Sequence, residues 1–233
     1  MNGGEVVVET MLSRGVDTVF FVPGGTNVTI LEALSRNQNK IRSIPTRLES
    51  SAAFAADAYS AIRKKPAVIL CSRAPGATNA AIGVHTAQQA SRPLVLIIAN
   101  IPRKQKGREA FQEINYHLMF GPIAKAVYDV SSFNEVAEVV ARALDLSVAG
   151  RPGAVVVSIS KDILDEVGEP EIPRVPATVR MGPDSDAVQE AARLIDSNAP
   201  ATLVQIALDA GFSSKATFNR VFRAVHGTSP SER

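Results

Sequence analysis

Three short stretches of this 233-residue chain carry residue types able to do chemistry. Pro23-Gly24-Gly25-Thr26-Asn27 follows an apolar run and opens a helical pattern, and Ala74-Pro75-Gly76-Ala77-Thr78-Asn79 repeats the arrangement further on. Glycines at such a point let the backbone approach a ligand closely, and the helix start offers N–H groups with no partner of their own. Either loop can also simply turn the chain, and a helix capped by Thr78 or Asn79 accounts for the second without any ligand. Between them stands Glu49, in the first turn of the Ala-rich segment Arg47-Leu48-Glu49-Ser50-Ser51-Ala52-Ala53-Phe54. The helix dipole alone favours a carboxylate there. The sharper alternative is a buried acid with a raised pKa, held by small neighbours against a flat ligand.

The elements that must position these residues follow from hydrophobic pattern. Five apolar runs (Val19–Val22, Ile41–Ile44, Ala67–Cys71, Leu94–Ala99 and Ala154–Ile159) lack alternation, as strands covered on both faces do. Helical patterns occupy Glu5–Arg14, Val28–Arg36, Ser50–Lys64, Asn79–Ala90 and Phe133–Val148. This rhythm predicts an α/β fold, a doubly wound and mostly parallel sheet with helices on both faces. Right-handed crossovers then bring the loops after the strands to one edge, where open sheets of this kind bind ligands.

Bulk composition sets limits. Hydrophobic residues at 45% suffice for a real core, and a net charge of +2 is too small to mark the whole chain as a nucleic-acid or membrane binder. The single Cys71 allows no internal disulfide and reads as a buried small hydrophobe. No run is long enough to span a membrane, and the opening residues lack a basic segment before an apolar one; a cytoplasmic protein is expected.

Residues 165–183 carry Pro170, Pro173, Pro176 and Pro183 and read as an extended linker, followed by a helix over Asp184–Asp196 capped by Asp184 or Ser185. Near Pro200 the pattern changes. Residues 201–233 hold four Lys/Arg against two Asp/Glu, so with 25 against 23 in the chain the whole net charge sits there. Leu203, Ile206, Ala207 and Ala210 make one helical face, Gly211 a left-handed turn, and Ser213 or Ser214 caps a second helix with the stripe Phe218, Val221, Phe222 and Val225. That leaves Lys215, Thr217, Asn219 and Arg220 facing outward, the layout of a helix-turn-helix. The same pattern also suits a helical hairpin packed on the α/β domain.

Taken in order, Pro23-Gly-Gly, Arg47-Leu-Glu-Ser-Ser-Ala-Ala-Phe, Ala74-Pro-Gly-Ala-Thr-Asn, Ala110-Phe-Gln-Glu113 and Gly150-Arg-Pro-Gly-Ala-Val-Val-Val resemble the N-terminal, pyrimidine-binding domain of thiamine-diphosphate enzymes, acetolactate synthase-like. The resemblance covers roughly residues 1–170, and residues 186–200 look like the first helix of that family's middle domain. It implies domains at 1–167, 168–200 (linker and first helix of a truncated middle domain) and 201–233. It implies that Glu49 hydrogen-bonds ring nitrogen N1′ of the cofactor, which favours the tautomer able to take the thiazolium proton. Pro23, Gly24, Pro75, Gly76 and Asn79 would line the pyrimidine, and Phe111, Gln112 and Lys125 would lie on the substrate side. Two departures stand out: Leu48 where many relatives carry His or Asn, and Ala74 for the first glycine of the usual Gly-Pro-Gly. The family's Gly-Asp-Gly, which holds the diphosphate through Mg²⁺, occurs nowhere in the chain. Only the pyrimidine half of a thiamine diphosphate site is therefore expected, with no metal site and no carboligation or decarboxylation by the chain alone.

The tail, through Ile206-Ala-Leu-Asp-Ala-Gly-Phe-Ser-Ser, Phe218-Asn-Arg-Val-Phe-Arg and Gly227-Thr-Ser-Pro-Ser-Glu232, resembles the second helix-turn-helix of AraC/XylS-family transcription regulators. That implies a recognition helix over Ser214–Val225, with Lys215, Thr217, Asn219 and Arg220 toward DNA. One unit without its companion implies weak, salt-dependent binding. Three readings result. The chain is a truncated thiamine-diphosphate enzyme, expected to be a homodimer; or a DNA-binding regulator with the α/β domain as sensor or dimeriser; or a half-site completed by a separate diphosphate-binding chain.

Overall fold

The computed structural model describes residues 1–174, 184–196, 202–212 and 214–232. Pro176, Pro183, Pro200 and Ser213 of the sequence reading lie outside these. The chain divides into two compact units, Met1–Pro176 and Ala177–Arg233.

In the first unit a six-stranded sheet has the order β2-β1-β3-β4-β6-β5, with every pair parallel. Its strands are β1 (Thr18–Phe21), β2 (Arg42–Pro45), β3 (Ala67–Ser72), β4 (Leu94–Asn100), β5 (Ala126–Val130) and β6 (Ala154–Ser160). Helices α1 (Gly3–Ser13), α2 (Val28–Arg36), α6 (Val136–Val148) and α7 (Lys161–Asp165) cover one face, while α3 (Glu49–Arg63), α4 (Arg73–Gln89) and α5 (Tyr116–Phe120) cover the other. The unbroken apolar runs have a direct cause. Val68 and Leu70 point into the first layer, Ala67, Ile69 and Cys71 into the second.

Three expectations need correction. β5 was not expected: its sequence Ala-Val-Tyr-Asp-Val belongs to an edge strand that is largely half-buried, so no apolar run announces it. α4 begins at Arg73, six residues before the expected start, with Ser72 as N-cap and no side-chain capping bond. Thr78 and Asn79 are thus inside the helix and cap nothing; Pro75 fits because first-turn N–H groups have no helical acceptor. Finally, residues 166–174 are docked rather than free. Val167 bridges Asn2, Gly168 N–H donates to Met1 O at 3.0 Å, and the Arg14 guanidinium donates to Pro173 O at 2.7 Å.

In the second unit α8 (Ser185–Asp196), α9 (Leu203–Asp209) and α10 (Lys215–His226) share one apolar core of Ala191, Ala192, Ile206, Ala207, Ala210, Phe218 and Phe222. The grouping thus joins α8 to the tail helices, where the sequence reading divided them at 200/201. Asp184 Oδ1 accepts from Asp186 and Ala187 N–H, Gly211 is left-handed at φ 83°, and Ser214 caps α10 by accepting from Thr217 N–H. Among the described residues no helix is long and apolar enough to cross a membrane.

Candidate functional site

The sheet reverses its winding direction between β1 and β3, and the loops that leave their C-terminal ends are the two glycine loops. That is where open α/β sheets form a crevice. In the first loop Asn27 turns its side chain back, accepting from Gly24 N–H at 2.9 Å and donating to Val22 O at 3.1 Å. The Thr26 hydroxyl donates to Ala99 O at 2.6 Å and lies 2.6 Å from Ser72 Oγ, which locks the loop to the ends of β3 and β4. Gly24 rests so closely on Ser72 that a Cβ there would come within 2.4 Å of the Ser72 Cβ. Gly25 faces open space.

Glu49 opens α3 directly after the β2 loop and is 9% exposed. Its Oε2 accepts from Asn79 Nδ2 at 3.1 Å, nearly two turns into α4. A Cβ on Gly76 would stand 3.0 Å from both Glu49 Oε1 and Cys71 Cβ. The bare Gly76 backbone therefore lies against the carboxyl, and Oε1 has no hydrogen-bond partner among the described residues. Burial, and next the Glu49 carboxyl, push the Cys71 thiol far above its ordinary range, so it is no nucleophile.

The segment 107–115 folds over this edge. Glu113 accepts from Gly107 and Ala110 N–H at 2.6 and 3.0 Å, which tightens the turn and holds its own carboxyl below the usual range. Gln112 takes φ 67°; its carbonyl accepts from Ala74 N–H and its Oε1 from Arg73 Nη1, each at 3.3 Å. Phe111 beside it is 78% exposed. Glu49, Gly76, Asn79 and Gln112, with the Gly24 loop locked to Ser72, thus meet at one edge.

Lys125 does not join them. Its backbone N–H donates to Ala154 O, at the beginning of β6. In a parallel sheet that is the opposite edge. Its ammonium is taken up by the carbonyls of Leu146, Ala149 and Arg151 at the end of α6, and burial lowers its pKa. In the basic segment 103–108, Arg103 pairs with Asp162 and Glu166, and Lys106 with Asp129. In the second unit Lys215 and Arg220 are exposed on α10, and Thr217 and Asn219 are half-buried.

Sequence reasoning missed Ser72 and Arg73, and gave Thr26, though inside the first glycine loop, no role of its own. For Ser72 and Arg73, polar side chains at the end of an apolar run were the available signal. Among the described residues no cluster of His, Cys, Asp and Glu could hold a metal ion.

Fold and site define an open parallel α/β domain with a buried carboxyl and bare glycine backbone together at its switch point. Residues 1–119 match the family described as "Thiamine pyrophosphate enzyme, N-terminal TPP binding domain", and the chain belongs to that family, which implies binding of thiamine diphosphate. "Acetolactate synthase 3, chloroplastic" of Brassica napus is 36% identical over 168 residues, 72% of this chain and 26% of the relative. "Acetolactate synthase" of Bacillus subtilis is 33% identical over 190 residues (82% and 33%). "Probable acetolactate synthase large subunit" of Methanocaldococcus jannaschii is 32% identical over 181 residues (78% and 30%). The chain spans about a third or less of the length of these curated relatives.

Proposed function

We propose that the first unit holds the aminopyrimidine half of thiamine diphosphate at the Glu49 edge, as part of an acetolactate synthase-like enzyme. The observation that carries this is the buried Glu49 carboxyl, with Oε2 fixed by Asn79 and Oε1, beside Gly76, left without a partner among the described residues. A flat ring carrying a basic nitrogen fits that donor set: a carboxyl that can give or take one proton, and glycine backbone with no Cβ to hold the ring away. When bound, the cofactor supplies carbanion stabilisation. Glu49 Oε1 holds or releases the proton at N1′, while Asn79 keeps the carboxyl from rotating. Gly25, open on its side-chain face, and Gly76, bare against the carboxyl, would admit the ring, Gly24 would line it with its backbone, Pro23 and Pro75 would border it, and Phe111 and Gln112 would close the substrate side.

With no Gly-Asp-Gly in the chain, the diphosphate and Mg²⁺ are to be held by another domain or a separate chain, and this chain alone performs no carboligation. Leu48, Phe54 and Ile82, 47%, 43% and 56% exposed on and beside α3 and α4, support a second copy docking next to the site. Calorimetry with thiamine tests the reading: the chain binds it, and Glu49→Gln, which cannot share a proton in the same way, weakens binding at least tenfold. Equal binding by both proteins refutes the role given to Glu49. Acetolactate formation by the purified chain with thiamine diphosphate and Mg²⁺ refutes its dependence on a further domain.

A DNA-binding reading rests on the helix, left-handed Gly211 and helix of the second unit, with Lys215 and Arg220 exposed. Its test is a salt-dependent gel shift abolished by Arg220→Ala; no shift at low salt removes it.

A further inference from the structure

Arg73 combines four properties that packing alone does not account for. It is a bulky residue in the left-handed region, φ 54°, at the first position of α4, a conformation that costs free energy for any side chain with a Cβ. Its Nε is buried and has no hydrogen-bond partner among the described residues. Its one side-chain bond among the described residues, from Nη1, goes to Gln112 at 3.3 Å. No carboxylate among the described residues pairs with it. By contrast Arg14, Arg92 and Arg103 of the same unit each meet an acid.

The planar guanidinium has two edges for bidentate acceptors. Nη1 is held by Gln112, so the edge formed by Nε and Nη2 is left without an acceptor. That edge matches the two oxygens of a carboxylate. Gln112 is itself left-handed at φ 67°, and its carbonyl is bound by Ala74 N–H. Two strained residues therefore grip one another and hold the guanidinium in place. Three residues further along α4, Gly76 touches Glu49.

We propose that the Nε/Nη2 edge of Arg73 is the carboxylate-binding element of this site, positioned by Gln112 to take the acid group of a small ligand beside Glu49. The site therefore selects ligands that carry a carboxylate and discriminates against their neutral isosteres. Its location next to a bound ring rests on the cofactor reading above; carboxylate binding itself does not.

The test is nuclear magnetic resonance of the full chain, following arginine Nε–Hε signals during titration with sodium acetate, sodium chloride or acetamide. The Arg73 signal is expected to shift saturably with acetate alone, while that of Arg103, already bonded to Asp162, stays. Arg73→Lys keeps the charge but loses the fork, and acetate affinity is expected to fall roughly tenfold. Arg73→Gly removes both the fork and the left-handed strain, so the urea midpoint holds or rises while the acetate response disappears. A residue placed for packing would instead lower that midpoint. No saturable shift in the wild-type chain, an equal shift with acetamide or chloride, or undiminished acetate binding by Arg73→Lys overturns the proposal. Thiamine calorimetry on the same sample separates the two readings. Thiamine binding without an acetate response removes the role of Arg73 alone, and an acetate response without thiamine binding removes the cofactor reading alone.

Discussion

Substituting Gly83 with alanine sets helix propensity against packing and so tests how the site is built. Gly83 lies where α4 crosses α3, and a Cβ there would stand 2.3 Å from Ala53 Cβ and 3.1 and 3.2 Å from Ala53 C and Cα. Ordinary carbon contact needs about 3.5–4.0 Å. An alanine methyl has no rotamer to escape into, so the two helices must part by about 1 Å. Alanine gains about 1 kcal/mol over glycine in a helix interior, while forcing a methyl into a packed contact costs about 1–3 kcal/mol. With backbone as well as Cβ in the way, the upper end applies, and the net loss is about 1–2 kcal/mol. At a urea m-value of about 2 kcal/mol/M the midpoint falls by about 0.5–1 M. Tyr59, Tyr116 and Tyr128 are the three tyrosines, and the chain has no tryptophan, so intrinsic fluorescence reports the α/β unit alone. A functional effect accompanies the loss. Ala53 is one turn from Glu49 and Gly83 one turn from Asn79, so separation lengthens their 3.1 Å bond beyond hydrogen-bonding range. Thiamine binding should weaken together with stability. A midpoint equal to or above that of the parent protein would refute the close-packed account of α3 and α4.

Further expectations concern pH and the capping lysine. Cys71 has an ordinary pKa of 9.0 and is pushed up first by burial and then by Glu49. Tyr116, ordinarily 10.0, is raised by burial and, to a lesser degree, by Cys71. Below pH 9 both folded and unfolded chains keep these protons; above it only the unfolded chain ionises, so stability falls by up to about 1.4 kcal/mol per pH unit per group. Urea midpoints from pH 7 to 11 should decline from about pH 9, and in Cys71→Ala from about pH 10. Lys125, whose pKa burial lowers, adds an opposite slope in both proteins, so the check is the difference between them: identical profiles for the parent protein and Cys71→Ala contradict burial of the thiol. Replacing Lys125 with methionine strips three carbonyls at the end of α6 of their donor and is expected to lower stability by about 1.5–3 kcal/mol. Thiamine affinity should not change; a selective loss of it in calorimetry would return Lys125 to the site.

The apolar strands and their order along the chain were legible because a strand buried on both faces needs an unbroken hydrophobic run. β3 and β4 appear within one residue of where that pattern puts them. The edge strand β5 was not legible, since its half-buried pattern carries polar residues. Pro75 and Gly76 hid the start of α4, because local propensity cannot show that a first turn tolerates both. Glu49 could be picked from its place in an Ala-rich helix start. Its bond to Asn79 could not, because that depends on α3 and α4 packing through Ala53 and Gly83.

By itself, then, the sequence determined a parallel α/β unit, the two glycine loops at one sheet edge, and a carboxyl beside them. Tertiary structure alone decided which other residues share that edge. It sent Lys125 to the far end of the sheet, because position relative to strand direction fixes the edge and residue type does not. It brought Arg73 and Gln112 together, 39 residues apart, by folding segment 107–115 over α4. Hydrophobic period encodes which face a residue takes; only the packed chain fixes where that face meets another.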